Sequence, residues 1–458
     1  MTLPNYFLAD LPREAALSPQ TITDACQTLK RNREQYLRNR STESLVRTIS
    51  DVAASWLDPE FPFRRLAMAA SPGLTGFPSA TLAVGLDQFF RQLTVDHLQA
   101  LLVQDLGHSQ RLDRFVIAKS ERGADRAALA KGPELLAHIS AGNVPNPAFS
   151  SMILGILVRS AQFLKCASGT AYLPRLLAHS FYEADPKLAS CLEIAEWPGG
   201  RHDLEGTLYR EVDCLTATGS DKTLADIHSN LPPHLRFVSY GHRVSFGFIA
   251  REALGHGVGE LVRRAASDVA AWNQLGCLSP HVFYVERGGK LSAEAFAEML
   301  AAQLAQLEES QPRGPLVEEV AAVIASRRSF YEVRAAHSVE TQQWVSPHST
   351  AWTVVYEADP RFQLSCLHRF VYVKPVPDWS EILRVADSVR GCISTVGLEA
   401  SEERAAEIAG GLARWGVGRV CPLGQMQSPP LGWRHDGRPS LGDLVTWTDW
   451  ERPENGGF

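Results

Sequence analysis

The chain lacks any CxxC pair: its eight cysteines, Cys26, Cys166, Cys191, Cys214, Cys277, Cys366, Cys392 and Cys421, are scattered through 458 residues. That spacing excludes a zinc ribbon and a redox dithiol and gives no metal site to expect. Unpaired thiols in this number fit a reducing, cytoplasmic setting, where most serve as small buried hydrophobes. An excess of one charge is also missing. With 45 basic and 51 acidic residues the formal charge is −6, so no broad field is available to hold nucleic acid or anionic lipid. The local arginine cluster Arg31, Arg33, Arg38, Arg40 and Arg47 is interrupted by Glu34 and Glu43 and reads as a solvated helix face. Long apolar runs are absent as well. The best candidate, FSSMILGILVRSAQFL, is broken by Arg159 and falls short of the roughly 20 apolar residues a bilayer requires, so it predicts a buried element and no membrane span. The start MTLPNYFLADLPREAAL lacks the basic and apolar regions of a secretory signal.

What is present is enough apolar sequence, 45% of the chain, for two or three globular domains of roughly 100 to 200 residues each. Residues 1–60 read as helical and are followed by the loop-rich DPEFPFRRLAMAASPGLTGFP. From about residue 134 short apolar runs alternate with helical segments, the pattern of an α/β fold with a largely parallel sheet. ELLAHISAGN predicts a strand, PNPAFSSMILGILVRS a helix and AQFLKCAS a second strand, and a further unit follows in TLYREVDCLTATG, GSDKTLADIHSNL and HLRFVSYG. Beyond residue 245 come a helix over REALGHGVGELVRRAASDVAAWNQLG, the motif CLSPHVFYVE, an alanine-rich helix, strands at WTVVYE and RFVYVKPV, and a polar, aromatic tail.

The nearest thing to a GxGxxG fingerprint is Gly255, Gly257 and Gly259, which has the wrong spacing inside a helical stretch and carries no weight. The two tandem βαβ units carry more. Lys165 ends the second strand of the first unit, where a dinucleotide fold faces the adenosine ribose, and Gly219 and Ser220 open a helix whose amides and dipole favour a pyrophosphate. Among the thiols Cys277 stands out, because it sits in a loop between a helix and a strand, where a nucleophile is accessible.

The segments ISAGNVPNPA, FLKCASG, TATGSDKT, FVSYGHRVSF, NQLGCLSPHVFYVE and WRHDGRPSLGDLVTW resemble the acyl-CoA reductase family that includes the fatty-acid reductase subunit of luminous bacteria. More distantly they resemble the aldehyde dehydrogenase superfamily. The resemblance implies an α/β fold of the aldehyde dehydrogenase type, a Rossmann-type dinucleotide-binding domain plus an α/β catalytic domain. The division it suggests is a helical segment 1–60 packed on the cofactor domain, a dinucleotide-binding domain 61–245 and a catalytic cysteine domain 246–425. A tail 426–458 would return to the cofactor domain or to a partner subunit. Position by position it implies that Cys277 is the nucleophile that holds the acyl group as a thioester. The side-chain amide of Asn143 and the backbone N–H of the cysteine would form the oxyanion hole. Lys165 would contact the adenosine ribose, and Gly219 and Ser220 the pyrophosphate.

Two departures refine this. Where aldehyde-oxidising relatives carry ELGGK, with a glutamate that activates water, this chain has Ser239, Tyr240, Gly241, His242 and Arg243. Without that base the thioester is long-lived, which favours thioester reduction over oxidation to the acid. Where relatives carry KPSE the chain has Lys165, Cys166, Ala167 and Ser168; serine in place of the carboxylate removes repulsion against a 2′-phosphate, so NADPH is expected before NADH. The motif that grips the nicotinamide ribose is not legible near Leu364 to Phe370. His242 and His281 read as structural, and the motif-like His435 and Asp436 as part of a turn, Asp436-Gly437, that docks the tail. The expected activity is NADPH-dependent reduction of a fatty acyl-CoA or acyl-protein thioester to the aldehyde by a homo-oligomer supplied by an acyl-activating synthetase. Aldehyde oxidation and non-redox acyl transfer are the alternatives.

Overall fold

The computed structural model describes residues 3–12, 15–121 and 126–451; the ends of the expected N-terminal segment and tail, 1–2 and 452–458, lie outside them. Strand β1 (Arg126–Lys131) stands apart from the two large sheets. Strands β2 (Leu135–Ile139), β3 (Ala161–Cys166), β4 (Leu192–Glu196), β5 (Cys214–Thr218) and β6 (Arg236–Tyr240) form an all-parallel sheet in the order β4-β3-β2-β5-β6. Its central strands β2 and β3 read as nearly continuous apolar runs because both faces are covered. A second, seven-stranded sheet contains β7 (Val244–Ile249), β8 (Pro280–Glu286), β9 (Thr341–Val345), β10 (Thr353–Glu357), β11 (Phe370–Val376), β12 (Ile393–Glu399) and β13 (Arg419–Pro422). Its order is β13-β12-β7-β8-β11-β10-β9, parallel except for β9 at one edge. Strand β14 (Thr446–Glu451) then pairs antiparallel with β1. Separate apolar clusters fill the two faces of each large sheet.

Helical structure before the first sheet runs to Leu106, further than the sequence pattern suggests. The segment read as loop contains helices Pro62–Ala69 and Pro72–Thr75, each opened by a proline in its first turn, where the missing N–H costs nothing. The stretch TLYREVDCLTATG is not one strand: helix His202–Glu211 takes its first half, because Leu204, Thr207, Leu208 and Tyr209 recur at helical spacing on the sheet face. Likewise the region after residue 245 opens with β7 and not with a helix; helix Val258–Ala270 begins only after Gly257, which takes φ +77 at its N-cap.

The apolar run around residue 150 forms the buried helix Asn146–Leu157, and Arg159 ends it in a left-handed conformation. That arginine is buried, donating to the carbonyls of Arg40 and Leu112 and to Thr42, and pairing with Asp113. Arg33 is buried beside it, donating to the Arg159 carbonyl at 2.7 Å, so the arginine cluster is only partly a solvated face. A guanidinium surrounded by carbonyl acceptors is as satisfied inside the protein as in water.

Candidate active site

The chain leaves β2 to build β3 and β4 on one side, then returns to build β5 and β6 on the other. The loops after β2 and β5 therefore part, and the crevice at the carboxyl ends of parallel strands is where such sheets take ligands. The residues expected for the cofactor all lie along this edge. Lys165 is the penultimate residue of β3, 5% exposed, with its ammonium 5.8 Å from the centre of the Trp197 ring. Burial pulls its pKa down and Glu205, Cys166 and Glu196 pull it back up. Ser168 is exposed in the following turn. Gly219 ends the β5 loop, and Ser220 caps helix Asp221–Ser229 by accepting the Thr223 N–H. A buried ammonium with no hydrogen bond among the described residues suits an arriving hydroxyl or phosphate oxygen, so the edge fits a dinucleotide. Sequence reading missed Glu196, which stands at the end of the neighbouring β4 and accepts the N–H groups of Gly169 and Ala171 at 2.8 and 3.2 Å. Spatially it restores a carboxylate beside Ser168.

The cysteine loop is built with backbone strain. Trp272, Asn273 and Gln274 have φ of 49°, 51° and 64°, a left-handed run that costs about 1–2 kcal/mol per non-glycine residue. A second left-handed run, Leu367 to Arg369, locks onto it. The Gln274 side chain accepts the Phe370 N–H at 2.8 Å and donates to the Phe370 and Pro280 carbonyls at 2.8 Å each, while Arg369 donates to Asn273 at 3.0 Å. Strain of this kind persists where the surroundings over-determine it. The Trp272 ring packs against Gly85, where a Cβ would fall 2.1 Å from it, so the N-terminal helices buttress the loop.

The Asn143 amide donates to the carbonyl of Leu275 at 2.7 Å, which brings the two motifs ISAGNVPNPA and NQLGCLSPHVFYVE together. The Cys277 carbonyl accepts from Ser245 at 2.8 Å, leaving its partly buried side chain to face a cavity of about 210 Å³. Cys277 alone among the eight thiols lines that cavity. Phe89, Leu93, Ile153, Leu154, Leu278 and Leu431 make its walls mostly apolar. Thr218 and Tyr240, at the ends of β5 and β6, also line it, so the cavity is continuous with the carboxyl edge of the first parallel sheet.

The far wall comes from the tail. Asp268 accepts the N–H groups of Gly424 and Met426 at 2.5 and 3.0 Å and so pins the segment that carries Gln427 to Leu431 along the rim. Trp433 and His435 follow on the same wall. The expected turn at Asp436-Gly437 forms, with Asp436 at φ 53°, yet the Asp436 side chain is turned inward and the partly buried His435 reaches the cavity wall. Burial pushes the Cys277 thiol up to about 11; the Asp436 carboxylate adds to this, while the backbone amide, Arg243 and the buried Ser394 hydroxyl oppose it. His242 and His281 lie elsewhere: the His242 N–H binds Asp221, and buried His281 accepts the Ser365 N–H at 3.0 Å.

Residues 37–447 match the family model described as acyl-CoA reductase (LuxC). The chain is 26% identical over 435 residues to the long-chain acyl-protein thioester reductase of Aliivibrio fischeri, covering 91% of this chain and 84% of that one. It is 24% identical over 339 residues to long-chain acyl-protein thioester reductase 2 of Photobacterium leiognathi, covering 71% of this chain and 65% of the other. Similar solved structures include a NAD-dependent benzaldehyde dehydrogenase from Corynebacterium glutamicum, with TM-score 0.69 and 12% identity over 95% of this chain and 91% of that one. Glyceraldehyde-3-phosphate dehydrogenase GapN from Methanocaldococcus jannaschii, complexed with NADP, gives TM-score 0.69 and 13% identity over 96% and 95%. The fold is thus that of the aldehyde dehydrogenases, and with the model matched across most of its length the chain belongs to the acyl-CoA reductase (LuxC) family.

Proposed function

We propose that this protein reduces a long-chain acyl thioester, carried on coenzyme A or on a protein, to the aldehyde through an acyl thioester on Cys277. The observation that carries this reading is the placement of Cys277, alone of eight thiols, in a mostly apolar cavity that opens onto the carboxyl edge of the parallel sheet. An alkyl chain would lie against the apolar wall and be shielded from water. Cys277 attacks the acyl carbon. The second N–H of the Asn143 amide and the Cys277 backbone N–H are the donors for the oxyanion, an arrangement typically worth about 3–4 kcal/mol in the transition state. Lys165, Gly219 and Ser220 would hold a reduced nicotinamide dinucleotide, which would supply the hydride for the acyl carbon. Ser239, standing where a hydrolytic base would be, leaves water without activation, and its carbonyl is tied up by Arg438 at 2.6 Å.

NADPH is the first expectation because Ser168 carries no charge, with NADH second, since Glu196 keeps a carboxylate close by. In this reading an acyl-activating synthetase supplies the acyl group and the chain self-associates. Incubation with a long-chain acyl-CoA in the absence of nicotinamide should add one acyl mass to the Cys277 peptide, and NADPH should then discharge it as aldehyde. An acyl adduct that persists in Cys277→Ala would sink the mechanism.

A further inference from the structure

Attack by Cys277 requires that its proton leave as the sulfur–carbon bond forms, because burial holds the thiol protonated at neutral pH. The position of the usual glutamate is Ser239, which is no base. Among the described residues that line the cavity, the titratable side chains are Cys277, Tyr240 and His435. Burial pushes Tyr240 up to about 12, so it takes no proton from a thiol. His435 is pushed the other way by burial and rests neutral, free to accept one.

Its ring is held on two sides. It stacks on Tyr240 with centroids 4.4 Å apart and planes 9° from parallel, and Trp433 packs at 4.8 Å. The groups that set its charge are Asp436, which favours the imidazolium, and Arg438 and Arg243, which oppose it. The Asp436 side chain is 5% exposed and lies 3.9 Å from His435 Nε2 and 3.2 Å from Arg243, yet neither carboxylate oxygen makes a hydrogen bond. Asp436 is ion-paired with Arg243, yet its oxygens keep unused acceptor capacity on a left-handed backbone. That capacity gains a role if a second positive charge develops on His435.

We propose that His435, carried by the C-terminal segment and flanked by Asp436, is the acid–base residue that moves the proton for Cys277. This rests on the acyl-cysteine reading above. The imidazole takes the Sγ proton as sulfur bonds to the acyl carbon and the carbonyl electrons move to oxygen. When the tetrahedral species collapses, the donor thiolate leaves and takes that proton, and His435 is neutral again. After hydride has reached the acyl carbon, the carbon–sulfur bond breaks with its electrons going to Cys277. The imidazolium, reprotonated from solvent, returns one proton to the sulfur. The sum is one thioester, one reduced nicotinamide and one proton consumed for one aldehyde, one thiol and one oxidised nicotinamide.

The test follows acylation of Cys277 by a long-chain acyl-CoA without nicotinamide, using rapid-quench mass spectrometry of the full chain between pH 6 and 9. His435→Gln and His435→Phe, the latter keeping the stack on Tyr240, should slow acylation about 100-fold or more. Added imidazole should restore His435→Ala. Asp436→Asn should move the limb of the pH profile to lower pH, because the carboxylate no longer supports the imidazolium. Wild-type rates in His435→Gln and His435→Phe would overturn the proposal, as would folded His435→Ala that imidazole fails to rescue. No acylation of the wild type would instead overturn the acyl-cysteine reading on which it rests.

Discussion

At the residue scale the site depends on a few polar atoms in an apolar cavity, and each gives a separable effect. If Asn143 is an oxyanion donor as proposed, Asn143→Ala should lower the acylation rate about 100- to 1000-fold, while the thiol remains open to alkylation by iodoacetamide. Glu196→Gln keeps an acceptor for the N–H groups of Gly169 and Ala171 but removes the charge. The ratio of kcat/KM for NADPH over NADH should then rise, because a 2′-phosphate near Ser168 no longer meets a carboxylate; an unchanged ratio would remove Glu196 from cofactor choice. The position of Cys277 as a candidate was legible, since helix, loop and strand are written around it. The polar groups that face it were not, because Asp436, Arg243 and Ser394 come from three distant stretches of chain.

At the scale of elements, strand and helix contacts set how the site responds to pH and to packing. His138 joins three strands: its Nδ1 accepts from Thr216 on β5 at 2.6 Å and its Nε2 donates to Gln162 on β3 at 3.1 Å. Burial lowers its pKa to about 4, against about 6.5 in the unfolded chain. The folded pKa is depressed, so the stabilisation is present above about pH 6.5 and declines as pH falls through 4, by roughly 3 kcal/mol in all. Urea unfolding of His138→Asn should show a flatter acid limb than the wild type. Glu193 has the opposite sign, because burial raises it to about 8; its contribution is present below about pH 4.3 and lost as pH rises through 8. Glu193→Gln should therefore melt higher than the wild type at pH 9. Packing is tested at Gly85→Ala, whose new methyl would collide with Trp272. About 1–3 kcal/mol of destabilisation is expected, together with slower acylation; a lost melting temperature with normal acylation would show that Trp272 does not position the cysteine loop.

At the scale of the whole molecule, the tail completes the cavity. Arg236 on β6 donates to the carbonyls of Val445 and Leu444 at 2.9 and 2.7 Å, and Leu441, Leu444 and Val445 sink into the core shared with the N-terminal helices. A chain stopped after Gln427 loses Trp433, His435 and Asp436 at once. Alkylation of Cys277 by iodoacetamide should accelerate, since the thiol is more open and freed from the Asp436 charge, whereas acylation by acyl-CoA should fall. If both rates moved in the same direction, the tail would be acting only as a cover.

The sequence by itself determined the α/β alternation, the two motif loops and the thiol worth watching, because strand burial, turn chemistry and loop position are local properties. It misplaced the start of β5 and the opening of the second sheet, where helical and strand periodicity overlap over a few residues. Only the tertiary structure decided what stands opposite the thiol. The left-handed clasp between residues 272–274 and 367–369, the carboxylate of Glu196 beside Ser168, and the turn His435–Asp436 at the cavity wall each join segments far apart in the chain. Charge and dielectric act through space, so the chemistry of Cys277 is set by neighbours that sequence order does not reveal.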